Sequence, residues 1–398
     1  MQISPETIRF IEEHASDDVC QLALQTKKYP QVDLSTAMVQ ISGRQIAEAK
    51  IPSWSKVQGL LYPKHLSMEQ CSSEATACYK SELVKGDTLA DLTGGFGIDC
   101  SFLSRKFKQA DYVERQEELC DLACHNFPLL GLNVRVHNED GVAYLNQITL
   151  VDCLFLDPAR RDGHGGKTVA ISNCEPDVSA LEELLVEKAR TVMVKLSPML
   201  DLSLALKTLK HVHEVHVVSV NNECKELLLL LRKEPVSSEI KIHCEQIVNT
   251  CEHQHFVFTQ EQERASDCPL ATQVEAFLYE PNASILKAGA YRSLTQAYPL
   301  KKLHTSSHLY TSPDFIGGFP GRKFKVEAIS NFGKKELKTF LQGMEKANLT
   351  IRNFPSSVAE LRKRLKLKEG GEDYLFATTL AGESKVLIKC RKCPSLLH

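Results

Sequence analysis

Between residues 87 and 161 the sequence sets acids and glycines at the ends of successive short apolar runs. The first is Asp87-Thr-Leu-Ala-Asp91-Leu-Thr93-Gly94-Gly95-Phe-Gly97-Ile-Asp99, an expected strand that runs into a glycine-rich turn and then into a helix expected over 98–106. Glycines there let the backbone approach a ligand closely, and the start of the helix adds oriented N–H groups. A pyrophosphate-binding Gly-x-Gly-x-x-Gly turn counted from Gly95 needs its third glycine where Cys100 stands. A carboxylate at Asp91 also suits a cationic ligand better than a pyrophosphate. Glu114 ends the next run 23 residues later, where a carboxylate can accept hydrogen bonds from both hydroxyls of a ribose. Asp140-Gly141 ends a third run, and Asp157-Pro158-Ala159-Arg160-Arg161 a fourth, on the edge where open α/β sheets place their ligands. Singly these are turn acids, helix caps and an Asp-Gly turn. Aligned on one edge they form a row of acids able to grip a positively charged group.

The elements that position this row follow from periodicity. Residues 1 to about 80 read as helices: Ser4-Pro5-Glu6 is a start signal, and Ser67-Met68-Glu69-Gln70 has capping-box spacing. From Asp87 onward, apolar runs at 88–92, 110–114, 134–137, 154–157, 191–196 and 215–220 alternate with helical stretches, which calls for a parallel sheet with helices on both faces. The leucine-rich run 226–232 folds back as an antiparallel edge, and two alternating runs, 240–244 and 255–259, extend this β-rich section. Pro313 to Gly321 is rich in Pro and Gly and marks a linker or loop. Beyond it the pattern predicts a strand (324–329), a helix (334–347), a strand (348–353), a helix (357–367) and two strands (374–379, 385–389), a small α+β module.

With 398 residues, 43% hydrophobic and 25% charged, the chain has a globular composition and exceeds one ordinary domain. The first residues carry acids where a signal peptide needs a basic start, and no apolar run is long enough to span a bilayer. Fourteen cysteines, several inside apolar runs, suit free thiols in a reducing compartment, so a cytoplasmic location is expected. Cys390 and Cys393 make one CxxC with no second pair to complete four ligands, and no metal is called for. Net charge is −2, but it is unevenly spread: residues 281–398 hold 21 Lys and Arg against 9 Asp and Glu, and the rest hold 27 against 41. A basic last third on an acidic body points to a polyanionic partner. Arg362-Lys363-Arg364-Leu365-Lys366-Leu367-Lys368 concentrates five positive charges in seven residues, an electrostatic footprint for phosphates.

The stretch from Asp91 to Gly97 resembles the first motif of class I S-adenosylmethionine-dependent methyltransferases, Asp-Leu-x-x-Gly-x-Gly, with Thr93 in place of the usual first glycine. On that resemblance Asp91, Thr93, Gly95, Gly97, Glu114, Asp140 and Gly141 hold the donor, and Asp157, Pro158 and Arg160 orient the acceptor. Amino-group enzymes similar to this one carry Asp/Asn-Pro-Pro-aromatic where this chain has Asp157-Pro158-Ala159-Arg160. The Asp-Pro-Pro-Arg form belongs to uridine C5 enzymes, which need a cysteine that is Leu196 here. Covalent C5 chemistry is therefore disfavoured. Two stretches, Met68–Thr76 and Val194–Asp201, and a third, Tyr279–Gly289, look like those of a bacterial methyltransferase family with a ferredoxin-like and a THUMP-like C-terminal domain. That likeness covers nearly the whole chain. It implies that Gln70 and Ser73 close over the donor, that Arg161, Lys195 and Ser197 meet the substrate, and that Arg362, Lys363 and Arg364 bind tRNA or rRNA.

The fold expected is α/β: a helical N-terminal domain (1–80), a Rossmann-like seven-stranded methyltransferase domain (81–275), a ferredoxin-like domain (276–323) and a THUMP-like domain (324–398). The function expected is methylation of a base of structured RNA, at nitrogen, with S-adenosylmethionine as donor. A protein or small-molecule methyltransferase is the competing enzyme, and a non-catalytic RNA-binding scaffold is the competing binder. Oligomeric state is not encoded in these patterns.

Overall fold

The computed structural model describes residues 3–25, 28–160, 170–235, 239–249 and 252–394. The chain forms two compact units, one of residues 1–215 and 225–238, the other of residues 216–224 and 239–398.

The first unit opens with helices α1 (Pro5–Glu13), α2 (Val19–Ala23), α3 (Leu34–Lys50), α4 (Pro52–Ser55), α5 (His65–Gln70) and α6 (Glu74–Leu83). Ser4 caps α1 as its sequence signals, accepting the Thr7 N–H, with Pro5 in the first turn. The capping box expected at Ser67 does not form, because α5 begins two residues earlier and Ser67 lies inside it. The serine that caps is Ser73, which accepts the Thr76 N–H at the start of α6. Trp54, Met68 and Ala77 from these helices, with Tyr62 from the stretch between α4 and α5, pack with Phe96 and Ile98, so the helical prelude is seated on the glycine-rich turn.

Seven strands follow: β1 (Thr88–Asp91), β2 (Gln109–Glu114), β3 (Val134–Asn138), β4 (Val151–Leu156), β5 (Ala189–Leu196), β6 (Val212–Val220) and β7 (Glu223–Leu231). Their order is β6-β7-β5-β4-β1-β2-β3. β1 runs parallel to β2 and β4, β3 to β2, and β5 to β4, whereas β7 pairs antiparallel with β5. Helices α7 (Ile98–Leu103), α8 (Glu117–Leu129), α9 (Gly141–Gln147), α10 (Val178–Lys188) and α11 (Leu202–Thr208) connect the strands. The central strands read as continuous apolar runs because both faces are covered, and Leu89, Cys153, Phe155, Met193 and Leu230 share one core cluster. Asn221 and Asn222, both at positive φ, make the two-residue turn between β6 and β7, the conformation that matches strand twist.

In the second unit β8 (Lys241–Ile247) and β9 (His253–Thr259) form an antiparallel hairpin. A seven-stranded sheet is built from β10 (Phe277–Pro281), β11 (Lys301–His304), β12 (Ser307–Ser312), β13 (Gly321–Asn331), β14 (Asn348–Arg352), β15 (Asp373–Thr379) and β16 (Lys385–Lys392). The order is β11-β12-β10-β13-β16-β15-β14. Of the two readings of 313–321, linker or loop, the structure has the loop, inside one sheet: β10 and β13 pair from Phe277↔Lys325 to Pro281↔Gly321. Leu278 and Phe324, adjacent across that seam, belong to one buried cluster. The helix expected over 334–347 ends at Phe340, and Gly343 at φ +80° turns the chain a few residues on. The last helix (Val358–Leu365) starts with a Ser357/Glu360 capping box and stops at Lys366 in the left-handed region. Among the described residues no helix is long and apolar enough to cross a membrane.

Candidate functional site

Asp91 is the last residue of β1 and is 1% exposed. One of its oxygens accepts the Thr93 N–H at 3.0 Å, whereas the other, Oδ2, is buried without a hydrogen-bond partner among the described residues. Burial pushes the Asp91 carboxyl well above the usual carboxylate range; the Thr93 N–H opposes this, and Asp99, Asp157 and Glu114 add to it. An unmet buried acceptor is costly, and a hydrogen donor or a cation would satisfy it.

The turn after Asp91 has the backbone that its glycines predict. A Cβ at Gly94 would lie 2.2 Å from the Tyr112 ring, and Gly97 at φ +86° caps α7 against Phe127. Gly95 sits at φ +54°, and a side chain there would meet only the Thr93 carbonyl oxygen, at 3.8 Å, which allows the close approach that a ligand needs. Its N–H donates to Glu114 Oε2 at 2.9 Å, and Gln116 N–H donates to Glu114 Oε1 at 2.9 Å. Glu114 is therefore fixed by backbone amides, and each of its oxygens keeps a lone pair for a hydroxyl. Thr93, the departure from the glycine motif, accepts the Asp157 N–H at 2.6 Å through its hydroxyl. It ties the turn after β1 to the turn after β4.

Asp157 follows β4 with its side chain 38% exposed, and the Lys195 ammonium is paired with its Oδ2. Lys195, on β5 and 12% exposed, also lies 3.6 Å from Asp99 Oδ2. Burial works against its charge, but Asp157, Asp99 and Glu226 outweigh burial and hold the ammonium above its ordinary range. Asp99 accepts the Ser72 hydroxyl at 2.7 Å and stands 3.2 Å from Lys80. Lys80, completely buried on α6, donates to both oxygens of Glu226 on β7 at 2.7 and 2.6 Å. Burial raises the Asp99 carboxyl, yet Lys80 and Lys195 bring it below its usual value. Burial dominates at Glu226 and lifts it.

Not every residue singled out from the sequence enters this cluster. Gln70 is exposed at the end of α5, and the Ser73 hydroxyl is spent on capping α6; the serine that reaches Asp99 is Ser72. Asp140 is exposed and caps α9 by accepting the Val142 and Ala143 N–H groups. A Cβ at Gly141 would come within 2.2 Å of the Leu92 carbonyl oxygen, so glycine there lets α9 pack on the motif turn. Ser197 accepts the Met199 N–H in the turn after β5. Pro158 is buried, Arg160 lies on a two-residue strand paired with Cys174, and Arg161 lies outside the described residues. In the second unit Arg362 turns back onto the Ala347 carbonyl and Glu369, and Arg364 stacks over Phe332 at 5.5 Å. The exposed charges of that segment are Lys363, Arg364, Lys366 and Lys368. The cluster of Ser72, Lys80, Asp99 and Glu226 was not foreseen, although Lys80 falls on the same helical face as Thr76 and Ala77, and Glu226 heads a run of five leucines.

A family model described as THUMP domain-like matches residues 321–392, and one described as a ferredoxin-like domain matches residues 277–320. A crystal structure of a protein assigned as a methyltransferase, from Porphyromonas gingivalis W83, is 35% identical, covers 99% of this chain and 100% of its own, and superposes with a TM-score of 0.87. The Pyrococcus abyssi tRNA (uracil-54, C5)-methyltransferase in complex with S-adenosyl-L-homocysteine aligns at 15% identity over 44% of this chain and 40% of its own, with a TM-score of 0.30. The T. thermophilus 16S rRNA N2 G1207 methyltransferase with AdoMet and guanosine aligns at 15% identity over 45% of each chain, with a TM-score of 0.32. No curated protein matches the chain.

Proposed function

The chain belongs to the family of the assigned Porphyromonas gingivalis methyltransferase, and on that premise we propose that it transfers a methyl group from S-adenosylmethionine to a nitrogen of a base in structured RNA. The observation that carries this reading is the orphaned Oδ2 of buried Asp91 beside a turn in which Gly95 holds a positive φ of +54°. The donor supplies a methyl group on a cationic sulfur, together with an ammonium and a ribose. The donor's positive charge meets the unpaired Asp91 oxygen, Glu114 presents lone pairs to ribose hydroxyls, and the Gly95 backbone lets the ligand lie close. Asp140 and Gly141, at the end of β3, border the adenine in this reading.

Asp157 and Pro158 orient the acceptor. Methyl transfer to nitrogen needs its lone pair in line with the sulfonium methyl, so positioning supplies most of the rate. The THUMP-like match and the exposed Lys363, Lys366 and Lys368 support an RNA partner.

Isothermal titration of the purified protein with S-adenosylmethionine and with S-adenosylhomocysteine is expected to give saturable binding. Asp91→Ala should weaken it on the order of 10- to 100-fold, as for loss of a charge-assisted contact. Absence of binding by either compound overturns the donor assignment. Nucleoside mass spectrometry of total RNA from cells with and without the gene should show one N-methylated nucleoside missing; an unchanged RNA pool would shift the acceptor to protein or a small molecule.

A further inference from the structure

We propose that Lys195 is a positioning residue for methyl transfer: it clamps one oxygen of Asp157 and leaves the other to take a hydrogen from the acceptor, which restricts the acceptor to a nitrogen bearing N–H. This rests on the function proposed above.

The geometry fixes Asp157 from two sides. Its backbone N–H donates to the Thr93 hydroxyl, and its Oδ2 is held by the Lys195 ammonium. Its Oδ1 accepts no hydrogen bond among the described residues, and the side chain is 38% exposed, which leaves that oxygen open to a substrate. Lys195 is itself positioned from behind by Asp99, which Ser72 and Lys80 hold in turn, with Glu226 closing the set. The groups that face the pair thus come from β1 (Asp91), α6 (Lys80), α7 (Asp99) and β7 (Glu226). Each charged partner behind Lys195 is nine-tenths buried or more, so the ammonium has little freedom to leave Asp157.

An oxygen arranged in this way accepts hydrogen and donates none. It can orient an N–H and give nothing to a carbonyl or to a carbon nucleophile. In the transfer, the acceptor nitrogen's lone pair forms the new bond to the methyl carbon while the carbon–sulfur electron pair returns to sulfur. The nitrogen, now cationic, releases its proton to Oδ1 of Asp157 and is neutral again. The proton is lost only after the nitrogen has become a strong acid.

The test compares wild type, Lys195→Met, Lys195→Arg and Asp157→Asn. Each is assayed with methyl-labelled S-adenosylmethionine and total RNA from cells lacking the gene. Lys195→Met should lower kcat on the order of 100-fold and displace the acid limb of the pH–rate profile to higher pH. Donor affinity and KM should stay within about threefold, and Lys195→Arg should recover most of the rate. A Lys195→Met enzyme with more than a third of wild-type kcat and an unmoved acid limb overturns the proposal, as does a missing nucleoside methylated on carbon or oxygen.

A second readout does not depend on turnover. A water-soluble carbodiimide with glycinamide labels protonated carboxyls, and peptide mass spectrometry reads the label at Asp157. In Lys195→Met that labelling should persist to higher pH than in wild type; identical pH dependence overturns the role of Lys195. Should wild type methylate no RNA, the function proposed above fails, and the labelling still decides whether Lys195 governs Asp157.

Discussion

Charge is used in opposite ways at the carboxyl edge of the first unit and on the last helix of the second. Around Asp99, Lys80, Lys195 and Glu226 are buried and Asp157 is partly exposed, and each is held by named partners. Around residue 364 the charges lie mostly in water. Arg362 and Arg364 are tied to their own fold, and Lys363, Lys366 and Lys368 are exposed. Buried charge is geometrically committed and expensive to disturb, whereas exposed charge contributes a field that adds up and is screened by salt. The first arrangement suits bond making at one point. The second suits holding a polymer in place.

Removing one partner of the buried set should give the largest effect. Lys80→Met strands Glu226, removes one of the two cations at Asp99 and is expected to cost about 3–5 kcal/mol of stability, read as a fall in the urea midpoint. Lys80→Met combined with Glu226→Leu should recover part of the loss, since the stranded carboxylate goes with it. A Lys80→Met protein as stable as wild type would mean that the two regions do not differ as described. On the exposed side, Lys363→Gln, Lys366→Gln and Lys368→Gln together should leave stability within about 0.5 kcal/mol. They should flatten the log–log salt dependence of RNA binding by about 2, at 0.7–0.9 per phosphate contact. Fluorescence anisotropy with a structured RNA at several salt concentrations measures it.

The smallest effect tests a half-buried group between these extremes. Burial, with Lys302 and Arg352 adding to it, brings His308 down to about 4, and its ring stacks on Tyr291 at 3.8 Å. The unfolded chain takes up the proton near 6.5, so it binds more protons than the fold between about 6.5 and 4. The stability from neutral His308 is present above that window and is lost as pH falls through it. After discount for solvent screening the loss is about 1 kcal/mol. Chemical denaturation at pH 7 and at pH 4.5 should show a difference that shrinks in His308→Asn.

The parallel sheet was legible in the sequence because strands covered on both faces leave uninterrupted apolar runs, such as Cys153–Leu156 and Val192–Val194. The glycine turn was legible because positive φ at Gly95 and Gly97 has few other solutions. What could not be read was pairing at a distance. Lys80 and Glu226 are 146 positions apart, and nothing local distinguishes a lysine bound for an ion pair from one bound for solvent. Ser72 and Ser73 show the finer limit, since one residue of phase decides which hydroxyl caps a helix and which reaches Asp99. The seam between β10 and β13 was hidden for the same reason: a Pro- and Gly-rich stretch looks alike whether it separates two bodies or bridges neighbouring strands.

That seam determines how the C-terminal half can be cut. Residues 277–320 and 321–392 have separate family descriptions, but β10 and β13 share backbone hydrogen bonds along their whole contact. A fragment beginning at residue 321 would start with a strand stripped of its neighbour, an open edge that invites pairing with another copy. The portable piece therefore begins before Phe277, and the two segments go into any expression vector as a single object.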